Sequence, residues 1–107
     1  MKPDKPAKSS EIRAQLEAKR DEINLLLPTV APSIGIARVE READNYILRI
    51  GEKIVVKRGL FASVFPWAYV GSDGRDNFIG KKTLNDAVVE ALPNEVRAEF
   101  RRKLNAG

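Results

Sequence analysis

On either side of Gly51-Glu52-Lys53 the apolar residues keep a period of two: Tyr46, Leu48 and Ile50 alternate with Ile47 and Arg49, and Ile54, Val55 and Val56 follow the tripeptide. That period sends successive side chains to opposite faces of an extended strand, so the stretch commits the chain to an antiparallel hairpin. A two-residue loop at Gly51-Glu52 would suit a type II′ turn but sets Ile50 opposite Lys53. A three-residue loop pairs Ile50 with Ile54 and Leu48 with Val56. Apolar pairing should decide the register, which predicts the longer loop. Upstream, Asp44-Asn45 supplies turn chemistry. Before it the pattern changes phase, Ile34 and Ile36 lying on one face and Ala37 and Val39 on the other, which predicts a bulge or a late strand start. Residues 34–58 therefore read as a three-stranded antiparallel meander.

Helical spacing flanks the meander. After Ser9 and Ser10, both natural N-caps, Ile12, Leu16, Ile23 and Leu26 form one stripe, which Pro28 ends. Lys19 interrupts that stripe, so the helix is expected to pack on this protein's own sheet rather than in a coiled coil. Near the other end, Thr83-Leu84-Asn85-Asp86 is a capping-box variant ahead of Leu84, Ala87, Val88 and Ala91. Leu92-Pro93 separates that helix from a last one carrying Val96, Phe100 and Leu104. A helix-turn-helix reading of this pair is weak, because the joint is short. Between meander and helices, Leu60, Phe61, Val64 and Phe65 have helical spacing, whereas Phe65, Trp67 and Tyr69 alternate as on a strand. A short helical turn followed by a fourth, edge strand is expected there, then an exposed loop over residues 71–77. The fold class is α+β: an N-terminal amphipathic helix, a three-stranded antiparallel meander with that added edge strand, and two C-terminal helices. Residues 1–8, rich in Lys and Pro, read as a disordered tail, and residues 9–105 as a single domain.

Composition removes several classes of function. At 107 residues the chain can bury one core without staples. No apolar run approaches the roughly 18 residues of a membrane span, and the N-terminus lacks the apolar stretch of a secretory signal. The chain contains neither cysteine nor histidine. Disulfides, thiolate nucleophiles, zinc-thiolate sites and the commonest general base and transition-metal ligand are therefore absent. A cytoplasmic protein with no catalytic residues, no cofactor and no metal is expected, with no membrane partner. Net charge is +4 with a pI near 9.6, and the excess is spread along the chain, so a positive patch has to be made by folding.

Of the seven aromatics, Phe61, Phe65, Trp67, Tyr69 and Phe78 fall in one short stretch. The plain reading is core; the functional reading is an anchor patch or stacking platform. Low charge in this stretch fits a protein interface better than a phosphate-tracking groove. Gly80-Lys81-Lys82-Thr83 echoes a phosphate-binding loop but departs from the Walker spacing, and reads as a basic turn before an N-cap. Asp73, Asp76 and Asn77 lack the ligand alternation of a calcium loop. Glu40 and Glu42, set among Arg38 and Arg41, read as a salt-laced surface rather than an acid/base dyad. These features favour a small non-catalytic protein-binding module, an adaptor, inhibitor or assembly subunit. It would dock through Phe65, Trp67 and Tyr69 with Lys81 and Lys82 in a basic rim, and a homo-oligomer is one such assembly. The alternative is a nucleic-acid-binding accessory protein in which Arg38, Arg41, Arg49, Lys57 and Arg58 on the strands merge with Arg97, Arg101 and Arg102 on the last helix.

Overall fold

The computed structural model describes residues 9–106, so the expected tail over residues 1–8 lies outside the described residues. The first helix, α1 (Ser9–Leu26), buries Ile12, Leu16 and Ile23 and stops two residues before Pro28, where the chain tightens into a 3₁₀ turn over Leu27–Thr29. Thr29 Oγ1 donates to the Leu26 carbonyl at 2.6 Å, satisfying one of the acceptors the helix end leaves free. Lys19 turns aside from the stripe to pair with Glu22. A second 3₁₀ turn, Pro32–Ile34, leads into the sheet.

Five strands follow in an antiparallel meander whose spatial order is its chain order: β1 (Ala37–Glu42), β2 (Asn45–Ile50), β3 (Ile54–Arg58), β4 (Trp67–Val70) and β5 (Asp76–Lys81). The phase change before Ala37 is a late strand start. Across the hairpin Ile50 faces Ile54 and Leu48 faces Val56, the register of the three-residue loop. Gly51 takes φ +65° there, and a Cβ at that position would lie 2.3 Å from the Ile34 carbonyl oxygen, so only glycine fits. The count of three strands plus an edge is corrected to five. β4 is an inner strand, and the edge is β5, whose first two residues fall in the stretch expected as a loop. Its sequence hides it: Tyr69 faces Asn77 and Trp67 faces Lys81, so two residues of β5 bulge out and the residues that should alternate do not. Gly80, at φ +95°, returns the strand to its ladder where a Cβ would sit 2.8 Å from the Trp67 carbonyl oxygen.

All three helices cover one face of this sheet. α1 lies over β1 and β2, α2 (Leu84–Ala91) over β3 to β5, and α3 (Asn94–Ala106) against α2. One core results, joining Leu16 and Ile23 of α1 to Leu48, Ile50 and Val56 of the sheet, Val88 of α2 and Phe100 of α3. The other sheet face has no helix over it and carries Arg38, Glu40, Ile47, Arg49, Val55, Lys57, Ala68 and Val70. The two edges differ. Asn24 of α1 reads β1 as another strand would, its Nδ2 donating to the Ala37 carbonyl (2.9 Å) and its Oδ1 accepting from the Ala37 N–H (2.7 Å). Among the described residues no strand lies beyond β5. Among the described residues no helix is long and apolar enough to cross a membrane.

Candidate docking corner

The connection from β3 to β4 is pinned at its base, where the Gly59 N–H donates to the Pro66 carbonyl at 2.9 Å. Within it the Phe61 carbonyl accepts from the N–H groups of Val64 and Phe65, at 3.0 and 2.7 Å, closing a single helical turn. Pro66 prevents continuation, because a residue preceding proline is driven out of the helical region. One turn has too little length to bury an apolar stripe against the body of the protein. Leu60 is consequently 83% exposed, Phe61 and Val64 are about half exposed at 48% and 57%, and Phe65 is half-buried.

The bulge of β5 brings more apolar surface to the same corner. Phe78 and Ile79 are 54% and 52% exposed, and they immediately precede Gly80. A Cβ on Gly80 would approach the carbonyl oxygens of Phe65 and Trp67 to 2.9 and 2.8 Å, so the bulged strand and the end of the helical turn run against each other. Basic residues end the strands near this corner: Lys57 and Arg58 close β3 on opposite sheet faces, Lys81 closes β5 opposite Trp67, and Lys82 follows it. Phe78 and Ile79 also line a cavity with Asp73, Asp76 and Glu90, so carboxylates stand beside the β5 side of the corner. No family model, curated protein or solved structure matches the chain.

Two of the residues expected on this surface are beneath it. Trp67 is 5% exposed and Tyr69 9%, both on the helix-covered face of the sheet. The Arg58 guanidinium lies 5.0 Å over the Trp67 ring and closes it off from solvent. Asn77 Nδ2 donates to the Tyr69 hydroxyl at 3.0 Å, satisfying its polar tip. The expectation that Phe65, Trp67 and Tyr69 form the contact surface is corrected: the alternation that makes Trp67 and Tyr69 a strand also turns both into the core, and of the three only Phe65 is partly outside. Leu60, Phe61, Val64, Phe78 and Ile79 stand in their place. Their signal in the sequence was the helical spacing of residues 60–65 between Gly59 and Pro66, a helix too short to have an inside.

The expected merger of basic residues does not form. Arg38, Arg49 and Lys57 lie on the open sheet face, whereas α3 with Arg97, Arg101 and Arg102 belongs to the helical layer on the other side. Arg41 and Arg58, opposite Tyr46 and Trp67, also point to the helical side. Most of these cations are engaged within the chain. Arg38 and Arg49 share Glu40 at 2.8 and 2.9 Å, and Arg41 donates to the Ala43 carbonyl at 3.2 Å. Arg97 binds the Leu92 and Glu90 carbonyls at 2.9 and 2.8 Å, capping the end of α2. Arg101 meets Asp86 at 3.0 Å and Arg102 meets Glu99 at 3.5 Å.

The remaining polar motifs are occupied by structural hydrogen bonds. Thr83 Oγ1 accepts from the Asp86 N–H at 3.0 Å as an N-cap, so the start of α2 already carries the Asp86 carboxylate near Lys81. Hydrogen bonding from Arg101 holds that carboxyl below the usual range, and hydrogen bonds from Arg49 and Arg38 do the same for Glu40. Asp73 Oδ1 accepts from the Arg75 N–H in a local turn, and among the described residues no cluster of three metal-ligating side chains forms.

Proposed function

We propose that this protein is a non-catalytic docking module, an adaptor, inhibitor or assembly subunit that binds another protein through the corner formed by Leu60, Phe61, Val64, Phe65, Phe78 and Ile79. The observation that carries this reading is the approach of two separate segments with exposed apolar side chains at Gly80, where the backbone of β5 runs against the Phe65 and Trp67 carbonyls. Aromatic and aliphatic groups inside a charged rim are the composition of an interface centre. A non-catalytic role is supported by the lack of histidine and cysteine. The hydrogen-bonded carboxyls Glu40 and Asp86 are held below the usual carboxylate range, the opposite of what a general acid needs near neutral pH. The nucleic-acid reading loses part of its support, because the sheet separates Arg38, Arg49 and Lys57 from the arginines of α3.

Phe61→Ser combined with Phe78→Ser tests the proposal. Both side chains are half exposed, so the double variant is expected to keep its circular dichroism spectrum and to melt within a few degrees of the parent. Affinity capture from the native host is expected to recover a reproducible protein partner with the parent and to lose it with the variant. Equal recovery by both would rule this corner out as the contact surface.

A further inference from the structure

We infer that β5 is a docking edge for an extended segment of a partner protein, which joins the sheet as a sixth strand and directs a lysine or arginine side chain into the cavity lined by Phe78 and Ile79. The inference rests on the docking reading above and adds the form in which the partner arrives. Across the β4–β5 hairpin the Arg75 carbonyl accepts from the Gly71 N–H at 2.9 Å. A trans peptide sends the following N–H, that of Asp76, the opposite way, out from the edge of the sheet. Antiparallel pairs alternate, so Asn77, opposite Tyr69, turns its N–H and C=O inward to β4, and the Asp76 carbonyl and Phe78 N–H point outward beside the Asp76 N–H. Among the described residues no strand takes up these groups, whereas at the other edge Asn24 supplies a partner to Ala37. The bulge closes only the far half of β5, where Asn77 Oδ1 accepts from the Gly80 N–H at 3.2 Å.

When a strand adds to a sheet edge, main-chain hydrogen bonds give affinity and pockets for alternate side chains give selectivity. A cavity of about 380 Å³ opens beside this edge, with Tyr69, Phe78 and Ile79 among its walls. Three carboxylates, Asp73, Asp76 and Glu90, line it against the two guanidinium groups of Arg75 and Arg97. Arg97 is already turned to the end of α2, where it donates to the Leu92 and Glu90 carbonyls. Excess negative charge beside apolar walls fits a side chain with a long aliphatic stem and a cationic tip. The outward backbone groups select the rest of the occupant, since only another main chain offers donors and acceptors at their spacing.

Selection of a displayed random peptide library on the full chain tests this, with the Asp76→Pro protein as counter-selection. Proline there removes the outward N–H and leaves the bonds to β4 in place, so the variant is expected to keep the parent's circular dichroism spectrum. Binders that Asp76→Pro rejects are expected to share a Lys or Arg set among β-branched or aromatic residues. A synthetic copy of the most enriched peptide is expected to slow amide exchange at Asp76 and Phe78 of the parent, a readout that holds even if Asp76→Pro unfolds. Its affinity should fall about tenfold further against Asp76→Pro than against Asp76→Ala, and severalfold against Glu90→Gln. Binders lost in Phe61→Ser with Phe78→Ser that neither need the Asp76 N–H nor protect those two amides would overturn strand addition and leave the docking reading standing. Edge-dependent binders with no basic residue, or indifferent to Glu90→Gln, would overturn the cationic occupant of the cavity. No binder sensitive to either set of variants, from a chain that is monomeric by light scattering, would overturn both readings. A dimer lost in Asp76→Pro would overturn the inference in favour of a second copy of this chain.

Discussion

Single residues decide where this protein is closed and where it is open. Asn24 closes one edge: its amide presents a donor and an acceptor at the spacing of a peptide group, and Ala37, 2% exposed, uses both. Truncation in Asn24→Ala leaves a nearly buried N–H and C=O without partners, and should cost about 1–3 kcal/mol in urea unfolding. A loss below a few tenths would mean that water replaces the amide fully. Trp67 and Tyr69 close the centre, and their position illustrates a limit of reading aromatics from sequence. Alternation places Trp67 and Tyr69 on one face of β4, yet period two does not say which face is covered. That depended on α2, whose buried residues Ala87, Val88 and Val89 pack the helix onto the β3 to β5 side of the sheet.

At the scale of elements, the legible parts were those in which one period persists and chemistry marks the ends. The α1 stripe to Pro28, the three-residue hairpin loop with its Ile50–Ile54 pairing, the Thr83 N-cap and the Val96, Phe100, Leu104 face of α3 all have that character. β5 lacked it. Asp76, Asn77 and Gly80 resemble loop chemistry, and the bulge between its two registered ends breaks the alternation. The apolar pair that the bulge pushes outward was thus hidden by the same irregularity that exposes it. Gly80 holds this arrangement together. Gly80→Ala would introduce both an unfavourable positive φ and a Cβ within 3 Å of two carbonyl oxygens. It should destabilise the protein by more than about 1 kcal/mol and speed amide exchange along β5 before β1 to β3. Exchange that rises equally in all strands would instead show β5 to be a full partner in the cooperative core.

Over the whole molecule the helices take one side of the sheet, leaving an open charged face and, at one corner, an apolar patch. On the open face Glu40 draws in Arg38 and Arg49, and Ile47 is only 3% exposed. At the corner the apolar groups themselves are uncovered. Other apolar side chains are also exposed, notably Leu25 and Ile36, at 73% and 62%, but these lie on the last turn of α1 and before β1, outside the two segments that meet at Gly80. Those two provide an internal control. Hydroxyl-radical footprinting by mass spectrometry, on the chain alone and with a captured partner, reads all these side chains in one measurement. Leu60, Phe61, Phe78 and Ile79 should be modified readily in the free chain and shielded in the complex, with Leu25 and Ile36 unchanged and Trp67 protected in both. Shielding of Leu25 and Ile36 while the corner stays reactive would contradict a docking role for this corner.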